Sequence, residues 1–293
     1  MSGPPPPAVL HTPGFAHYNL AWSPFHTQRL AIASSANYGL VGNGRLHLAS
    51  LAGPSGIAGL NLDKFYETQD GLYDLAWSEI HENQLVTASG DGSIRLWDVM
   101  LNDLPIRAWQ EHTREVFCVD WSNLRKDQFV SCSWDGSVKL WTPEHPRSLM
   151  TLQAHHSCAY QALFSPHHPD LIATCSTDGT VKLFDLRAPA FAPQSNSFTA
   201  PLAAAALTVP ASGGEVLALD WNKYRPLTLA SAGVDKTIRV WDCRMVKLAD
   251  APGAPGPEGG AAVGGACETH LMGHEYAMDD EPSTWADPSG PYT

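Results

Sequence analysis

The sequence is short of charge, and most of what it carries is negative. Charged residues make up 16%, with 18 Lys and Arg against 30 Asp and Glu, a net charge of −12. Such a chain repels phosphate backbones, so nucleic-acid binding is not expected, and a basic ligand suits it better. Long apolar runs are also missing. No stretch approaches the roughly 18 apolar residues that a membrane span needs. The first residues, MSGPPPPAVLHTPGF, lack a basic start and an apolar run, so they do not read as a secretory signal. The final Pro291-Tyr292-Thr293 is not a Ser-Lys-Leu type of address. The six cysteines, at 118, 132, 158, 175, 243 and 267, form no CxxC pair. They read as reduced, strand-borne thiols of a cytosolic protein. GxSxG, P-loop and HExxH motifs and a GxGxxG after a strand are all lacking. Among thirteen histidines the doublets His155-His156 and His167-His168 are the best candidates for a metal reading, but His167-His168 lie in SPHHPD, a loop between two strands, and solvated or turn histidines are expected. The expectation is no enzyme, no catalytic residue, no metal and no cofactor.

What the chain has instead is a repeat. Residues 68–99 read TQDGLYDLAWSEIHENQLVTASGDGSIRLWDV, and residues 112–143, 155–186 and 212–243 follow the same grammar. Trp77, Trp121, Phe164 and Trp221 match at spacings of 44, 43 and 57 residues, as do Trp97, Trp141, Phe184 and Trp241. A weaker copy, residues 18–49, puts Trp22 in the first aromatic slot but lacks the aspartate turn and the closing Trp-Asp. In each full copy an alternating apolar run predicts one strand and a second run (LVTAS, FVSCS, LIATC, TLASA) another. A tight turn at Asp91-Gly92, Asp135-Gly136, Asp178-Gly179 or Asp235-Lys236 leads into a third strand. A fourth, weaker strand is expected in the link to the next copy.

Four segments fall outside this grammar. Residues 1–14 are Pro/Gly-rich and are expected to be disordered. Blades are expected over 15–248, interrupted by an Ala/Pro/Ser-rich insertion at 187–213. Residues 249–272 begin as an almost pure Ala/Gly/Pro linker. Neither low-complexity stretch offers enough apolar surface to offset ordering entropy, so both read as mobile surface loops. Residues 273–293 open with Gly273-His274, a repeat start, then run into Asp279-Asp280-Glu281-Pro282, which cannot continue a strand. The expectation is a sixth repeat that begins and fails, in a chain that diverges near Met278.

The Trp-Asp ends, the Asp-Gly turns and the period of about 43 residues resemble the WD-repeat β-propellers. The fold class expected is therefore all-β, with about five recognisable blades of the seven that the resemblance implies, open or incomplete. Such an opening would leave two bare sheet edges. The family typically pairs a histidine with the turn aspartate. His112 with Asp135 and His155 with Asp178 occupy those positions; Asp91 and Asp235 face Thr68 and Ser212 instead.

More specific phrases narrow the resemblance. The runs TPGFAHYNLAWSPFHTQRLAIASSANYGLVGNGRL (12–46), DGLYDLAWSEIHENQLVTASGDGSIRLWD (70–98), EHTREVFCVDWSN (111–123) and SWDGSVKLWTP (133–143) resemble the peroxisomal receptor for the N-terminal type-2 targeting signal, the peroxin-7 family. The likeness covers residues 12–186 and 213–248. It implies a cytoplasmic receptor that cycles to the peroxisome (matrix), with matrix proteins carrying that signal, an import co-receptor and docking machinery as partners. It implies no nucleic acid and no direct membrane insertion. The signal is an amphipathic helix: an Arg/Lys-Leu pair, five residues, then a His/Gln-Leu pair. Asp70 and Glu115 would meet its basic residue. Tyr73, Phe117 and Tyr160, which share one aligned column, would supply apolar contact, and Glu215 aligns with Glu115. Two alternatives stand beside this. One is a substrate receptor of a cullin-RING ubiquitin ligase, suggested by Phe184-Asp185-Leu186-Arg187 and Trp241-Asp242-Cys243-Arg244, although Arg often follows Trp-Asp for local reasons. The other is a generic WD-repeat scaffold.

Overall fold

The two apolar runs of a repeat become neighbouring antiparallel strands because each alternates its side chains between two faces, and both faces are covered. The computed structural model describes residues 8–37, 42–52, 58–102, 104–188, 204–244, 262–263 and 266–272. Among these there is no α-helix; the strands form five antiparallel blades. The first blade holds β1 (Phe15–Trp22), β2 (Arg29–Ala36), β3 (Gly44–Ala52) and β4 (Ala58–Thr68). The second holds β5 (Leu72–Trp77), β6 (Gln84–Ser89), β7 (Ser93–Asp98) and β8 (Arg107–Gln110). The third holds β9 (Val116–Trp121), β10 (Phe129–Ser133), β11 (Ser137–Trp141) and β12 (Met150–Gln153). The fourth holds β13 (Ala159–Phe164), β14 (Leu171–Ser176), β15 (Thr180–Asp185) and β16 (Leu207–Pro210). The fifth holds β17 (Val216–Trp221), β18 (Thr228–Gly233), β19 (Thr237–Asp242) and, after a two-residue β20 (Ala262–Val263) that pairs in parallel with β16 at the edge of the fourth, β21 (Ala266–Met272).

The first strand of each blade is innermost. β1 packs on β5, β5 on β9, β9 on β13 and β13 on β17. No substantial packing joins β17 back to β1 among the described residues, so the row is open. Between the blades lie the cores. One joins Ala31, Leu46 and Leu48 to Leu72, Trp77 and Trp97; another joins Val86 and Ile94 to Trp121, Phe129 and Trp141. The closing tryptophans are buried with their one polar atom satisfied. Trp97 Nε1 donates to Thr87 Oγ1 (2.9 Å), Trp141 to Ser131 Oγ (2.8 Å) and Trp241 to Ser231 Oγ (2.8 Å). A hydroxyl on the second strand is therefore part of the repeat: an unpaired buried indole N–H would cost about 1–3 kcal/mol.

Three stretches differ from what composition alone predicts. β16 lies within 187–213, with Leu207 and Val209 fully buried against blade four. β21 lies within 249–272 and pairs with β19 from Thr237↔Met272 to Asp242↔Ala266. Both third strands would otherwise expose a bare edge, and pairing outweighs the weak local propensity. Residues 8–14, Pro/Gly-rich as they are, include Leu10, which packs on Leu30, Ile32 and Ala49 of blade one. The rest of 189–203 and 245–261, residues 1–7, and the repeat start at Gly273 with its tail to Thr293 lie outside the described residues.

Candidate functional site

The turn aspartates fix one face of the blades. His112 Nδ1 lies 3.0 Å from Asp135 Oδ2, and its Nε2 lies 2.8 Å from Ser131 Oγ, the hydroxyl that also receives Trp141. Blade four repeats this with His155, Asp178 and Thr174 at 2.9 and 2.8 Å. Burial alone would raise the Asp135 and Asp178 carboxyls. Hydrogen bonds and charge from their histidines, with the Ser137 or Thr180 bonds, outweigh it and hold both well below the usual carboxylate range. Where no histidine stands, an arginine four residues on takes over: Arg95 binds Asp91 at 2.5 Å and Arg239 binds Asp235 at 2.6 Å. Ser212 adds a hydroxyl to Asp235. Gly92, Gly136 and Gly179 sit at φ near +80°, and Lys236 takes the same region at +63°. These bonds hold the turns along that face.

On this rim the inner strands carry a feature the repeat pattern does not show. In every blade the pairing of first and second strands slips by one residue at the same place. The residues bulged out are Tyr18, Tyr73, Phe117, Tyr160 and Leu217. A bulge re-aims its side chain out of the ladder, and four of these five are aromatic. Their rings meet across the blades. Tyr18 lies edge-on to Tyr73 (centroids 5.0 Å), Tyr73 stacks on Phe117 (4.5 Å, 16°), and Phe117 lies edge-on to Tyr160 (5.2 Å).

Trp134 completes this row: it stacks on Phe117 at 4.9 Å and lies 6.0 Å from Tyr160. Sequence reasoning missed it as a site residue. The signal was its column, the position before the turn aspartate, where the other repeats have Gly90, Thr177 and Val234. Its indole nitrogen is buried without a hydrogen-bond partner among the described residues.

Charge surrounds the row. Asp70, in the loop into β5, holds the Gly71 N–H at 2.8 Å, and its carboxylate covers Gly90, where a Cβ would lie 2.8 Å from Oδ1. Glu115 precedes β9 and pairs loosely with Arg114 at 3.7 Å. Arg114 reaches back over the Trp134 ring, 5.6 Å from its centroid. Tyr73 reports the proximity of both acids: burial, then Tyr18, Asp70 and Glu115 together, push its hydroxyl up to about 12. Asp70, Tyr73, Glu115, Phe117 and Tyr160 thus come together. Glu215 holds the equivalent register in blade five, exposed, and no contact joins it to the aromatic row among the described residues. Arg187 and Arg244 fold back on their own strands, Arg187 Nη2 to Asp185 at 2.8 Å and Arg244 Nε to Asp242 at 2.9 Å. His167 contacts the Asn222 carbonyl at 3.2 Å, and no group of three or more His, Cys, Asp or Glu converges among the described residues.

A row of four-stranded blades, four of the five closed by a buried aromatic and an Asp turn, defines a β-repeat protein. The WD domain, G-beta repeat family matches residues 61–98, 104–142, 146–185 and 206–242, and the chain belongs to it. Within that family it is similar to the peroxisomal targeting signal 2 receptor of Saccharomyces cerevisiae, 39% identical over 263 residues covering 80% of this chain and 66% of the relative. It is likewise similar to the receptor of the same name from Komagataella phaffii (39% over 253 residues; 74% and 63%) and from Homo sapiens (38% over 167 residues; 57% and 50%). The chain spans about two thirds or less of the length of these relatives.

Proposed function

We propose that this chain is a receptor for the N-terminal type-2 targeting signal of peroxisomal matrix proteins, working in the cytoplasm with a co-receptor that helps deliver the cargo to the peroxisome. The observation that carries the reading is the aromatic row with Asp70 and Glu115 beside it, in a chain similar to receptors of that name. The chemistry fits an amphipathic helix. In the signal the two leucines are seven residues apart, so they share one helix face, and the two polar partners share another. Nine helical residues extend about 13 Å, and the three steps from Tyr18 to Tyr160, each 4.5–5.2 Å between centroids, cover at most about 15 Å. The leucines lie on the rings, and the basic residue faces Asp70 and Glu115.

The test is fluorescence anisotropy with a labelled peptide carrying the signal. Binding is expected, with loss on Asp70→Lys or Glu115→Lys. Retained binding in both variants, or equal binding of a peptide whose basic residue is changed to Asp, would sink the reading. The ubiquitin-ligase alternative loses ground because the arginines it needs are bonded to their own strands. Capture of a ligase adaptor, lost on Arg244→Ala, would restore it.

A further inference from the structure

The loops that lead into the inner strands of blades two to five share one backbone bond. The residue two before each bulged rim side chain accepts, at its carbonyl, the N–H that precedes the turn aspartate. Gly90 donates to Gly71 (2.9 Å), Trp134 to Glu115 (3.0 Å), Thr177 to Cys158 (3.0 Å) and Val234 to Glu215 (3.1 Å). The bond sets Asp70, Arg114, Ser157 and Gly214 in one column, each a residue earlier. That column changes sign between blades two and three, whose rings Tyr73 and Phe117 stack on each other, and is uncharged in blades four and five.

The two charges of the column turn in different directions. The Asp70 carboxylate turns onto Gly71 and Gly90, and both it and Glu115 act on the Tyr73 hydroxyl, so negative charge gathers at that ring. Arg114 reaches towards blade four. Its Nη1 donates to the Trp134 carbonyl (3.2 Å) and lies 3.8 Å from Cys158 Sγ, and its guanidinium stands 5.6 Å from the Trp134 ring centroid. The carbonyl and the thiol leave its charge in place. Glu115 stands 3.7 Å from its Nε, and half of the Arg114 side chain, 51%, is exposed. A cation is thus presented at the Trp134 end of the aromatic row and an acid pair at the Tyr73 end.

We propose that Arg114 sets the charge allowed at the second polar position of the bound segment, excluding a cation there and admitting a neutral or acidic side chain. This rests on the targeting-signal reading above. In that helix the basic residue and the second polar residue are seven apart, so they share a face and stand about 10 Å apart along the axis. Tyr73 stacks on Phe117 at 4.5 Å (16° between planes), and Phe117 on Trp134 at 4.9 Å (10°), so the rings step in one direction over a comparable length. With the basic residue against Asp70 and Glu115, the second polar residue falls at the ring that Arg114 covers. A lysine there brings two cations together over an apolar surface that screens them less than water does. A glutamine carbonyl or a carboxylate accepts the guanidinium N–H instead.

Fluorescence anisotropy of the full chain with three labelled signal peptides, alike except for glutamine, glutamate or lysine at the second polar position, tests this. The wild type is expected to bind the glutamate peptide at least as well as the glutamine peptide, and the lysine peptide about tenfold more weakly. Arg114→Gln should abolish the difference, and Arg114→Glu should reverse it so that the lysine peptide binds best. The readout is the ratio between peptides on one variant, so a general loss of affinity does not imitate it. Exchanging glutamine for lysine just before the basic residue, at the far end of the peptide, should give the same ratio in wild type and both variants. Equal binding of the glutamine and lysine peptides by the wild type, or a ratio that Arg114→Glu leaves unchanged, overturns the inference and leaves the receptor reading standing. Binding of none of the three peptides by the wild type sinks both.

Discussion

Replacing Asp120 with Asn is expected to flatten the pH dependence of stability between about pH 4 and pH 7. The carboxyl lies on β9 beside a cavity of about 270 Å³ that Asn19, Asp74, Cys118 and Gln161 also line. Burial raises its pKa to about 7; the Phe164 N–H opposes the rise and the neighbouring Asp74 adds to it. From the ordinary value of 3.8, the rise corresponds to about 4 kcal/mol. The sign follows from linkage. An acid with a raised pKa in the fold holds its proton more tightly there than in the unfolded chain. Below about pH 4 both states are protonated and nothing is lost; stability then falls as pH rises and the loss is complete above about pH 7. Asp120 is only half-buried and opens on the cavity, so 4 kcal/mol is a ceiling and a loss of about 1–3 kcal/mol is expected. Asn keeps an oxygen for the Phe164 N–H and cannot ionise. Urea unfolding of wild type and Asp120→Asn between pH 4.5 and 8 measures the difference directly. The variant should gain on the wild type steadily as pH rises. A difference flat to within about 0.5 kcal/mol, or one that moves the other way, would refute the reasoning.

The His112→Ala variant loses the bonds to Ser131 and Asp135, leaves the Asp135 carboxylate only its Thr113 and Ser137 partners and empties a buried site, so a destabilisation of about 2–4 kcal/mol is expected by urea unfolding. Because the Asp178 carboxyl is held below its ordinary range, its contribution is present above about pH 4 and disappears as pH falls; Asp178→Asn should make acid unfolding shallower on a pH titration followed by circular dichroism. Gly136→Ala combines φ +78° with a Cβ 2.5 Å from the His155 carbonyl, and a loss of about 1–3 kcal/mol in thermal or urea unfolding is expected. Phe117→Ala opens the stack between Tyr73 and Trp134 and should weaken the signal peptide about tenfold in anisotropy, with the unfolding midpoint moved far less than by His112→Ala.

Much of the fold was legible because the repeat states it four times. The Asp-Gly turns demanded positive φ, and the two aromatic slots marked the first and third strands. The outer strands were harder to read. β16 and β21 lie in Ala- and Pro-rich stretches whose composition argues for loops, and they form because the neighbouring strand offers a ladder to complete. Blade one was the faintest copy. It lacks the aspartate turn, yet its four strands pair in full, with Ser34 linking His17 and His47 at 2.9 and 3.0 Å.

The sequence by itself determined the strand order, the turns, the buried tryptophans and the column that holds Tyr73, Phe117 and Tyr160. It did not say that this column leaves the ladder. Alternation would have placed those rings on a packed face. A one-residue bulge in each blade turns them to the rim, and only the packing of adjacent blades brings them within stacking distance of one another and of Trp134. Local pattern is set by residues two or four apart in the chain; Tyr73 and Phe117 are 44 apart, and what joins them is the seam between two sheets.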